Sequence, residues 1–318
     1  MKKYLIAVLG LILFIAGCAG GDAPISTAGK PFIGGTDAIE FNFLEGAPPP
    51  EVYDKGEFPF EITLNVENKG EHDLVANDIK LSLLGFYPTD FGVQSADITK
   101  KLNEELTGAY IDSEGNEIPG GVTYVTFGDA DGFSYTPELK GNNEFPVRAE
   151  ACYKYGTEAQ ADLCFLKDLT DTRDTVCAVN ENKVIESSSA PIQIENLQEN
   201  VAGADKITFS FEVVHRGTGA ISDLRTDANG PICSDELGEK NKVKVLVTGL
   251  EDLIDGTLDC GGIDANDYAT LYGGKRIVRC TANLKARSSD FERKVFVDLE
   301  YNYKEHKDTK ILVKHVTG

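Results

Sequence analysis

The sequence contains an internal repeat with an offset of 147 to 148 residues. The segment FEITLNVENKG (60–70) aligns with ITFSFEVVHRG (207–217) at an offset of 147. A second block, VRAEACYKYGTEAQADLCF (147–165), aligns with VFVDLEYNYKEHKDTKILV (295–313) at an offset of 148. Two separated blocks with almost the same offset indicate that one domain has been duplicated. Any fold assigned to one copy therefore has to suit the other.

Both copies have the residue pattern of β-strands. Apolar residues alternate with polar ones, or run continuously between turn signals, in 38–44, 58–68, 78–86, 122–128, 145–155 and 157–166. Each copy has roughly seven short strands, with neither strand–helix alternation nor dinucleotide-binding glycines. This pattern predicts an all-β fold of two tandem antiparallel immunoglobulin-like sandwiches.

The turns and the last block of each copy carry local signals. Gly70 and Gly217 each end an alternating strand, where glycine can take a positive φ and turn the chain. The block 147–165 is expected to form a hairpin with inward side chains at every second position. Four tyrosines share the parity of the inward valines and alanines, which favours burial in the core over an exposed glycan-stacking surface. They are Tyr153, Tyr155, Tyr301 and Tyr303.

One segment has a helical period instead of a strand-like one. In SADITKKLNEELTG (95–108), Ile98, Leu102 and Leu106 recur every four residues, which predicts one short helix in an insertion of the first copy. The preceding LLGFYPTDFG (83–92) belongs to the same insertion and is rich in large apolar residues. We expect its exposed tips to form a partner surface, because duplicated sandwiches usually differ in their loops.

The strand and turn EITLNVENKGEHDL (61–74) resemble the signature of the CARDB-type, immunoglobulin-like domains of prokaryotic cell-surface proteins, many of them archaeal. The resemblance covers the first half of each copy and implies a surface lipoprotein with tandem sandwiches. The chain departs from antibody domains because it has no tryptophan and neither copy has their paired cysteines. In the second copy, His215 replaces the asparagine that precedes the turn.

The first residues have the three zones of an export signal. Met-Lys-Lys precedes an uncharged run from Tyr4 to Gly17, which is shorter than the ~20 apolar residues that a membrane-spanning helix needs. Ile15, Ala16 and Gly17 stand directly before Cys18 and resemble the lipobox of secreted lipoproteins. The resemblance implies cleavage after Gly17 and a diacylglyceryl group on Cys18. The alternative is a plain N-terminal membrane anchor, and both expectations put the rest of the chain outside the cytoplasm.

Six cysteines remain once Cys18 is set aside, and an even number in an exported chain predicts disulfides. Without a CxxC pair or a close Cys/His set, zinc is disfavoured. Cys260 with Cys280 is the favoured bridge in the second copy, whereas Cys164 can pair with Cys152 or with Cys177. The remaining cysteine of the first set would then join Cys233 in a bridge between the halves, or these two thiols would stay free. The six candidates are Cys152, Cys164, Cys177, Cys233, Cys260 and Cys280.

Charge and motifs exclude several classes of function. The formal net charge is −21 and becomes −23 when residues 1–17, with two lysines, are removed. So acidic a chain is repelled by nucleic acid, and no nucleic-acid partner is expected. The sequence has no nucleophile elbow, P-loop, zinc-protease helix or dinucleotide fingerprint. The four histidines are expected to be solvated residues of turns and strand ends.

One acidic loop loosely resembles a calcium site. GDADGFSYTPE (128–138) supplies Asp129, Asp131 and Glu138, and a hard cation would want several such oxygen ligands. Its spacing differs from the EF-hand pattern, so an ordinary acidic turn is the favoured interpretation. DCGGIDANDY (259–268) is a weaker example of the same kind. No cofactor other than this calcium is expected.

These observations predict a signal peptide at 1–17, a flexible tether at 18–36, sandwich 1 at 37–168, a linker at 169–188 and sandwich 2 at 189–318. We expect a non-enzymatic, lipid-anchored binding or structural module of the cell envelope. It would be held at the membrane by the lipid on Cys18 and would engage an envelope protein or polymer. The alternatives are an extracellular hydrolase, with or without calcium, and a subunit of a lattice or filament.

Overall fold

The fold is all-β, as the sequence predicts. A computed structural model describes residues 29–128, 131–171, 173 and 175–316. The helical content of these residues is one short 3-10 turn, Pro88–Phe91. Cys18 and the predicted signal peptide lie outside the described residues. Within the described ranges, no helix is long and apolar enough to cross a membrane.

The described residues of the first half form nine strands. They are β1 (Ile39–Phe43), β2 (Glu51–Tyr53), β3 (Ile62–Asn68), β4 (Ile79–Leu84), β5 (Thr99–Lys101), β6 (Tyr110–Ile111), β7 (Glu117–Ile118), β8 (Val122–Phe127) and β9 (Asn143–Phe165). Two short strands, β10 (Glu181–Asn182) and β11 (Ile185–Ser187), lie in the segment predicted as a linker.

The second half contains ten strands. They are β12 (Ile192–Gly203), β13 (Lys206–His215), β14 (Ala220–Ser222), β15 (Thr226–Asp227), β16 (Gly230–Pro231), β17 (Lys242–Thr248), β18 (Asp259–Gly261), β19 (Tyr268–Thr270), β20 (Lys275–Asn283) and β21 (Phe291–Lys314).

Three main sheets form two layers. The large sheet has the order β19-β17-β21-β9-β4-β5, with β11 added to β9 and with β14 and β2 added to β21. The smaller sheets are β1-β3-β8 and β10-β12-β13-β20-β18. Both cover the same face of the large sheet, because Tyr155 of β9 bonds to Asn68 of β3 while Thr157, on the same face, bonds to the carbonyl of Ile192 in β12. Pairing is antiparallel throughout except between β2 and β21.

The two halves are joined through their longest strands. β9 and β21 pair without interruption from Phe165 opposite Phe291 to Asn143 opposite Val313. The predicted hairpin at 147–165 is therefore wrong, since this block is one continuous strand. Each long strand runs from one sandwich into the other, and buried apolar residues of both halves form one continuous core. The residue boundaries of the two sandwiches remain a prediction.

A pseudo-twofold axis passes through the centre of this pairing. The register sets Lys154 opposite Asn302, and these two positions differ by 148, the offset of the repeat. The pair therefore maps onto itself when the halves are exchanged. Tyr153, Tyr155, Tyr301 and Tyr303 surround the axis on the inner face, and all four are fully buried, which confirms their predicted place in the core.

The predicted helix at 95–108 is wrong. Ile98 packs against the core and Leu102 and Leu106 are buried, but the chain between them is extended and includes β5. The N–H of Leu102 donates to the Ile79 carbonyl, and Leu106 exchanges backbone hydrogen bonds with Leu74. The four-residue spacing arises because Leu102 and Leu106 are bonded to two different neighbouring segments. A helix would place apolar residues at the same spacing, so the sequence pattern alone cannot separate the two structures.

The predicted flexible tether at 18–36 ends earlier than expected. The Glu71 carboxylate accepts hydrogen bonds from the N–H groups of Ile33 and Gly34, each at 2.9 Å, and from that of Ser189 at 2.6 Å. Residues 33–36 are therefore part of the folded body. The earlier part of the tether, 18–28, lies outside the described residues.

Three disulfides are present. Cys260–Cys280 is the bridge favoured from the sequence, and Cys164 pairs with Cys177. Cys152 joins Cys233 across the two halves. The alternative of Cys152 with Cys164 fails because both lie on β9, 12 residues apart along one strand, which separates them by about 40 Å.

The bridge between the halves holds a segment on the outer face of the large sheet. Residues 223–233, which we call the crossing segment, follow β14 and include β15 and β16. The side-chain amide of Asn302 donates to the carbonyls of Arg225 and Ile232, and Lys101 donates to that of Ala228. Cys233 then closes the segment onto β9, so the second half covers the sheet of the first.

The inter-half bridge should contribute more stability than the local one. Cys152–Cys233 spans 81 residues and Cys260–Cys280 spans 20, and loop-closure entropy predicts about 4 to 5 against about 3 kcal/mol. We expect the paired change Cys152→Ser with Cys233→Ser to lower the free energy of unfolding more than Cys260→Ser with Cys280→Ser. Guanidinium unfolding followed by circular dichroism measures both. An equal or larger loss in the second pair would contradict this.

Candidate functional site

Two equivalent tyrosines close the turns beside the pseudo-twofold axis. The Tyr155 hydroxyl donates to the Asn68 side chain at 3.0 Å, and in the repeat the Tyr303 hydroxyl lies 3.0 Å from Nε2 of His215. The N–H of Gly219 also donates to the Tyr303 hydroxyl at 2.8 Å. Burial raises the pKa of both tyrosines, so the hydroxyls stay protonated. The same corner is built twice from different polar partners.

The glycines at these corners allow the tyrosine hydroxyls to approach the turn backbone closely. A Cβ on Gly70 would lie 2.1 Å from the Tyr155 hydroxyl, and one on Gly217 would lie 2.2 Å from that of Tyr303. Neither glycine has a positive φ, so the expected backbone reason is wrong. The side-chain-free position lets the tyrosine reach the turn.

Each corner borders a groove between the two layers. The first, which we call the filled groove, is lined by Glu71, His72, Glu158 and Ser188 together with Pro31 and Phe32 of the N-terminal segment. The second, which we call the dyad groove, is lined at the equivalent positions by Thr218, Gly219 and His306. The filled groove leaves about 200 Å³ of space and the dyad groove about 490 Å³. Pro31 and Phe32 line the filled groove and not the dyad groove.

The dyad groove is the candidate functional site. Its floor is β21 and its walls are β1 and the turn 216–219. Glu305 and Lys307 occupy inward positions of β21, where the equivalent residues of β9 are Thr157 and Ala159. This change from small to charged residues at inward positions was visible in the repeat alignment and was missed.

The pKa values of two carboxyl groups in the groove, those of Glu305 and Glu40, are shifted in opposite directions. Burial raises the pKa of Glu305, whose Oε2 accepts a hydrogen bond from the Tyr153 hydroxyl at 2.9 Å. Hydrogen bonds from Lys69 and Asn42 lower the pKa of Glu40 on β1. Lys307 lowers the pKa of both carboxyl groups electrostatically but forms no ion pair with a described residue. The groove can therefore hydrogen-bond a polar ligand and has a cation free to pair.

The residues expected to bind calcium are not assembled as a site in the part of the chain that the structure describes. Glu138 forms an ion pair with Lys55 at 3.2 Å, Asp131 lies beside Gly132 in a turn, and Asp129 lies outside the described residues. In the described ranges, no three histidine, cysteine or acidic side chains are arranged to hold a metal ion. In the second acidic loop, Asp264 instead accepts hydrogen bonds from the N–H groups of Asn266 and Tyr268.

The histidines differ from the solvated residues expected. His72 packs edge-on against Tyr155 and burial lowers its pKa, while His215 bonds to Tyr303. His306 lies within β21 instead of a turn. Near the C-terminal end, Nδ1 of His315 lies 2.8 Å from Asp54; burial would raise the pKa of Asp54, but hydrogen bonds from His315 and two backbone N–H groups lower it to about 2.

A buried carboxyl group beside the Cys164–Cys177 bridge was also missed. Glu199 on β12 is fully buried, and its Oε2 accepts from the Cys164 N–H at 2.9 Å and lies 3.4 Å from Nζ of Lys183. Burial raises its pKa to about 7, against the opposing effects of these two partners. The sequence offers no sign of it, because ENLQENV (195–201) contains a β-bulge that changes which residues point inward.

The surface expected at 83–92 is half core. Phe91 is buried among Phe60, Phe86 and Tyr135, while Leu84 and Tyr87 remain exposed. Tyr87, at 78 % exposure, is the feature of this segment that a partner could reach.

Comparison of the chain with protein-family models and with curated proteins finds no significant match.

The two tyrosine corners should contribute to stability. We expect Tyr155→Phe and Tyr303→Phe each to lower the free energy of unfolding by about 1 to 2 kcal/mol, because each leaves buried polar groups without a partner. Urea unfolding measures this, with Tyr124→Phe on the exposed face of β8 as the control. A loss no larger than that of the control would remove the assigned role.

Glu199 should make stability depend on pH. Its pKa is higher in the folded chain than the usual 4.5, so the folded state binds the proton more tightly and loses stability as the pH rises from about 4.5 to about 7. We expect Glu199→Gln to remove this component and gain about 1 to 3 kcal/mol over wild type across that window. Thermal unfolding at a series of pH values measures it. The exposed Glu236→Gln is the control, and parallel curves for wild type and Glu199→Gln would contradict the assignment.

Proposed function

We propose that the protein is a lipid-anchored, extracytoplasmic binding module of the cell envelope and not an enzyme. The observation that carries the proposal is the set of three disulfides, because such bonds form and persist in oxidising compartments outside the cytoplasm. The lipobox-like Ile-Ala-Gly-Cys sequence supplies the anchor, with Cys18 as the lipidated residue. The resemblance to CARDB-type surface domains agrees with this role.

The attachment of the N-terminal segment suits an anchored module. Glu71 grips Ile33 and Gly34, so the folded body begins there. Between Cys18 and Ile33 the chain can reach about 50 Å when fully extended. A lipid on Cys18 would hold the body near the membrane and leave both sandwiches accessible.

Binding is favoured over hydrolysis by how the carboxyl groups of the dyad groove are used. A hydrolase of the glycosidase type would need one carboxyl group as an acid and another as a base or nucleophile across the bond that breaks. Glu40 is engaged by Lys69 and Asn42, and Glu305 by Tyr153. These bonds hold the two groups in the walls and floor of the groove, which suits recognition of a ligand.

The anchor can be tested at Cys18. We expect Cys18→Ser to abolish attachment of labelled fatty acid and to block cleavage after Gly17, so that the variant runs on a gel as an unlabelled chain that keeps residues 1–17. Globomycin should block processing of the wild type in the same way. The matched control is Ala19→Ser, which places a serine beside the cysteine and should leave labelling unchanged.

The anchor proposal fails if wild type and Cys18→Ser show the same fatty-acid labelling and the same processing, and globomycin leaves processing of the wild type unchanged. A lattice or filament subunit is the competing envelope role. Concentration-dependent assembly of the purified protein into particles far larger than a monomer, measured by light scattering, would favour that role over binding of a separate partner.

A further inference from the structure

β21 has an unpaired edge beside the dyad groove. On the side away from β9, its residues 302–304 pair with β14 and its residues 312–314 pair with β2. The N–H of Leu312 donates to Pro50 on that side, so the even-numbered backbone groups face it. Among the described residues, none pairs with the backbone of His306, Asp308 or Lys310 there. A gap about one short strand long therefore separates β14 from β2.

The equivalent edge of β9 is occupied. β11 pairs with β9 through Ser187 opposite Ala159, Glu186 opposite Gln160 and Ile185 opposite Ala161. The N–H of Ser188 continues the ladder and donates to the Glu158 carbonyl at 2.8 Å. By the repeat offset of 148, positions 158–161 correspond to 306–309 of β21. β11 therefore shows how a short strand can pair with the edge of a long strand at the position equivalent to 306–309.

The edge of β21 is open because the segments that precede β1 and β12, the leading segments of the two copies, follow different paths. The segment before β12 supplies β11 to β9, beside the filled groove. The segment before β1 does not make the equivalent contact with β21, because Pro31 and Phe32 also lie in the filled groove and Glu71 grips the residues after them. Only the last residues of these segments, 36–38 and Pro191, are among the described residues that line the dyad groove, and neither segment adds a strand to β21 there.

A second open edge faces the same groove. β1 is the edge strand of its sheet. The backbone groups of even-numbered residues in and beside this strand face β3, as the hydrogen bonds of Ala38 and Leu44 show. The backbone groups of Ile39 and Phe41 therefore face away from β3, and both residues line the dyad groove. The groove, about 490 Å³ in volume, is bordered by unpaired backbone in both layers.

The side chains at the free edge favour a carboxylate. Lys307 stands on the inner face where β9 has Ala159, and no described residue forms an ion pair with it. A strand placed as β11 is placed on β9 would set one residue directly opposite Lys307, and opposite charges at such positions attract. An acidic residue opposite the neighbouring Asp308 would face a like charge. Arg148 is already bonded to Asp308 through two hydrogen bonds and is not free to offset this.

We propose that the dyad groove is a strand-addition site that takes an extended segment of a partner protein, paired with β21 at 306–309 and carrying a carboxylate opposite Lys307. Main-chain hydrogen bonds would supply affinity and the carboxylate would supply register. The inference deepens the proposed binding role and depends on it.

Two peptides of identical composition test the register. The probe, acetyl-Lys-Val-Ile-Ser-Glu-Ser-Ser-Ala-amide, follows residues 183–190 of this chain with two positions exchanged, which puts its glutamate opposite Lys307. The control keeps the natural order, Lys-Val-Ile-Glu-Ser-Ser-Ser-Ala, and puts the glutamate opposite Asp308. Binding to the full-length protein in detergent is measured by fluorescence anisotropy of labelled peptides.

We expect the probe to bind about three- to fivefold more tightly than the control, as for a favourable cross-strand charge pair. Lys307→Glu should abolish or reverse this preference, whereas Lys275→Glu, an exposed change on β20, should leave it intact. Hydrogen exchange should slow at the amides of His306 and Asp308 when the probe is bound. A probe with proline at the serine that corresponds to Ser188 should not bind, because it lacks the N–H that continues the ladder.

The proposal is overturned if the two peptides bind equally to wild type and to Lys307→Glu, or if His306 and Asp308 gain no protection at saturating probe. It is also overturned if Lys307→Val causes self-association without peptide binding, since the lysine would then only protect an edge from pairing. If these tests fail but Tyr87 is cross-linked in cells to an envelope protein, the strand-addition site is wrong and the binding role is retained at a different surface. Failure of both would remove the binding role itself.

Discussion

The backbone pairing of β9 with β21 is the interaction on which the rest of the structure depends. It runs through 23 consecutive residue pairs and carries each long strand from one sandwich into the other. Because one strand serves two cores, neither half can lose its long strand without exposing apolar surface in both. The four central tyrosines are buried for the same reason, since they lie where the two cores meet on the pseudo-twofold axis.

The two copies of the repeat are similar in the core and differ at the surface. Tyr155 and Tyr303 close equivalent turns, yet their partners differ, with Asn68 in one copy and His215 in the other. The leading segments differ more, since both lie beside the same groove. The asymmetry of the two grooves therefore follows from where two connecting segments go, and not from a difference in the strands that build the sandwiches.

The sequence predicted what depends on period-2 burial and on the repeat: the all-β class, the buried tyrosines and the bridge between Cys260 and Cys280. It failed where a partner is distant in the chain. Around Gly156 the pattern suits a hairpin as well as a straight strand, and the choice is made by β21, about 148 residues away. Glu199 was hidden by a bulge that no local pattern marks, whereas Lys307 in place of Ala159 was a readable signal of the groove.

The segment that lies in the filled groove connects the folded body to the proposed anchor at Cys18. Residues 31–34 fill the groove beside Tyr155 and lead directly into the tether, so tension on a lipidated Cys18 would act on the grip of Glu71. The same segment continues through 36–38 into the wall of the dyad groove, which does not include Glu71, Pro31 or Phe32. The crossing segment, fastened by Cys152–Cys233, braces the outer face between them. In the proposed role, a load on the anchor would act first on the hydrogen bonds of Glu71, whereas the edge of β21 at 306–309 makes no contact with those bonds.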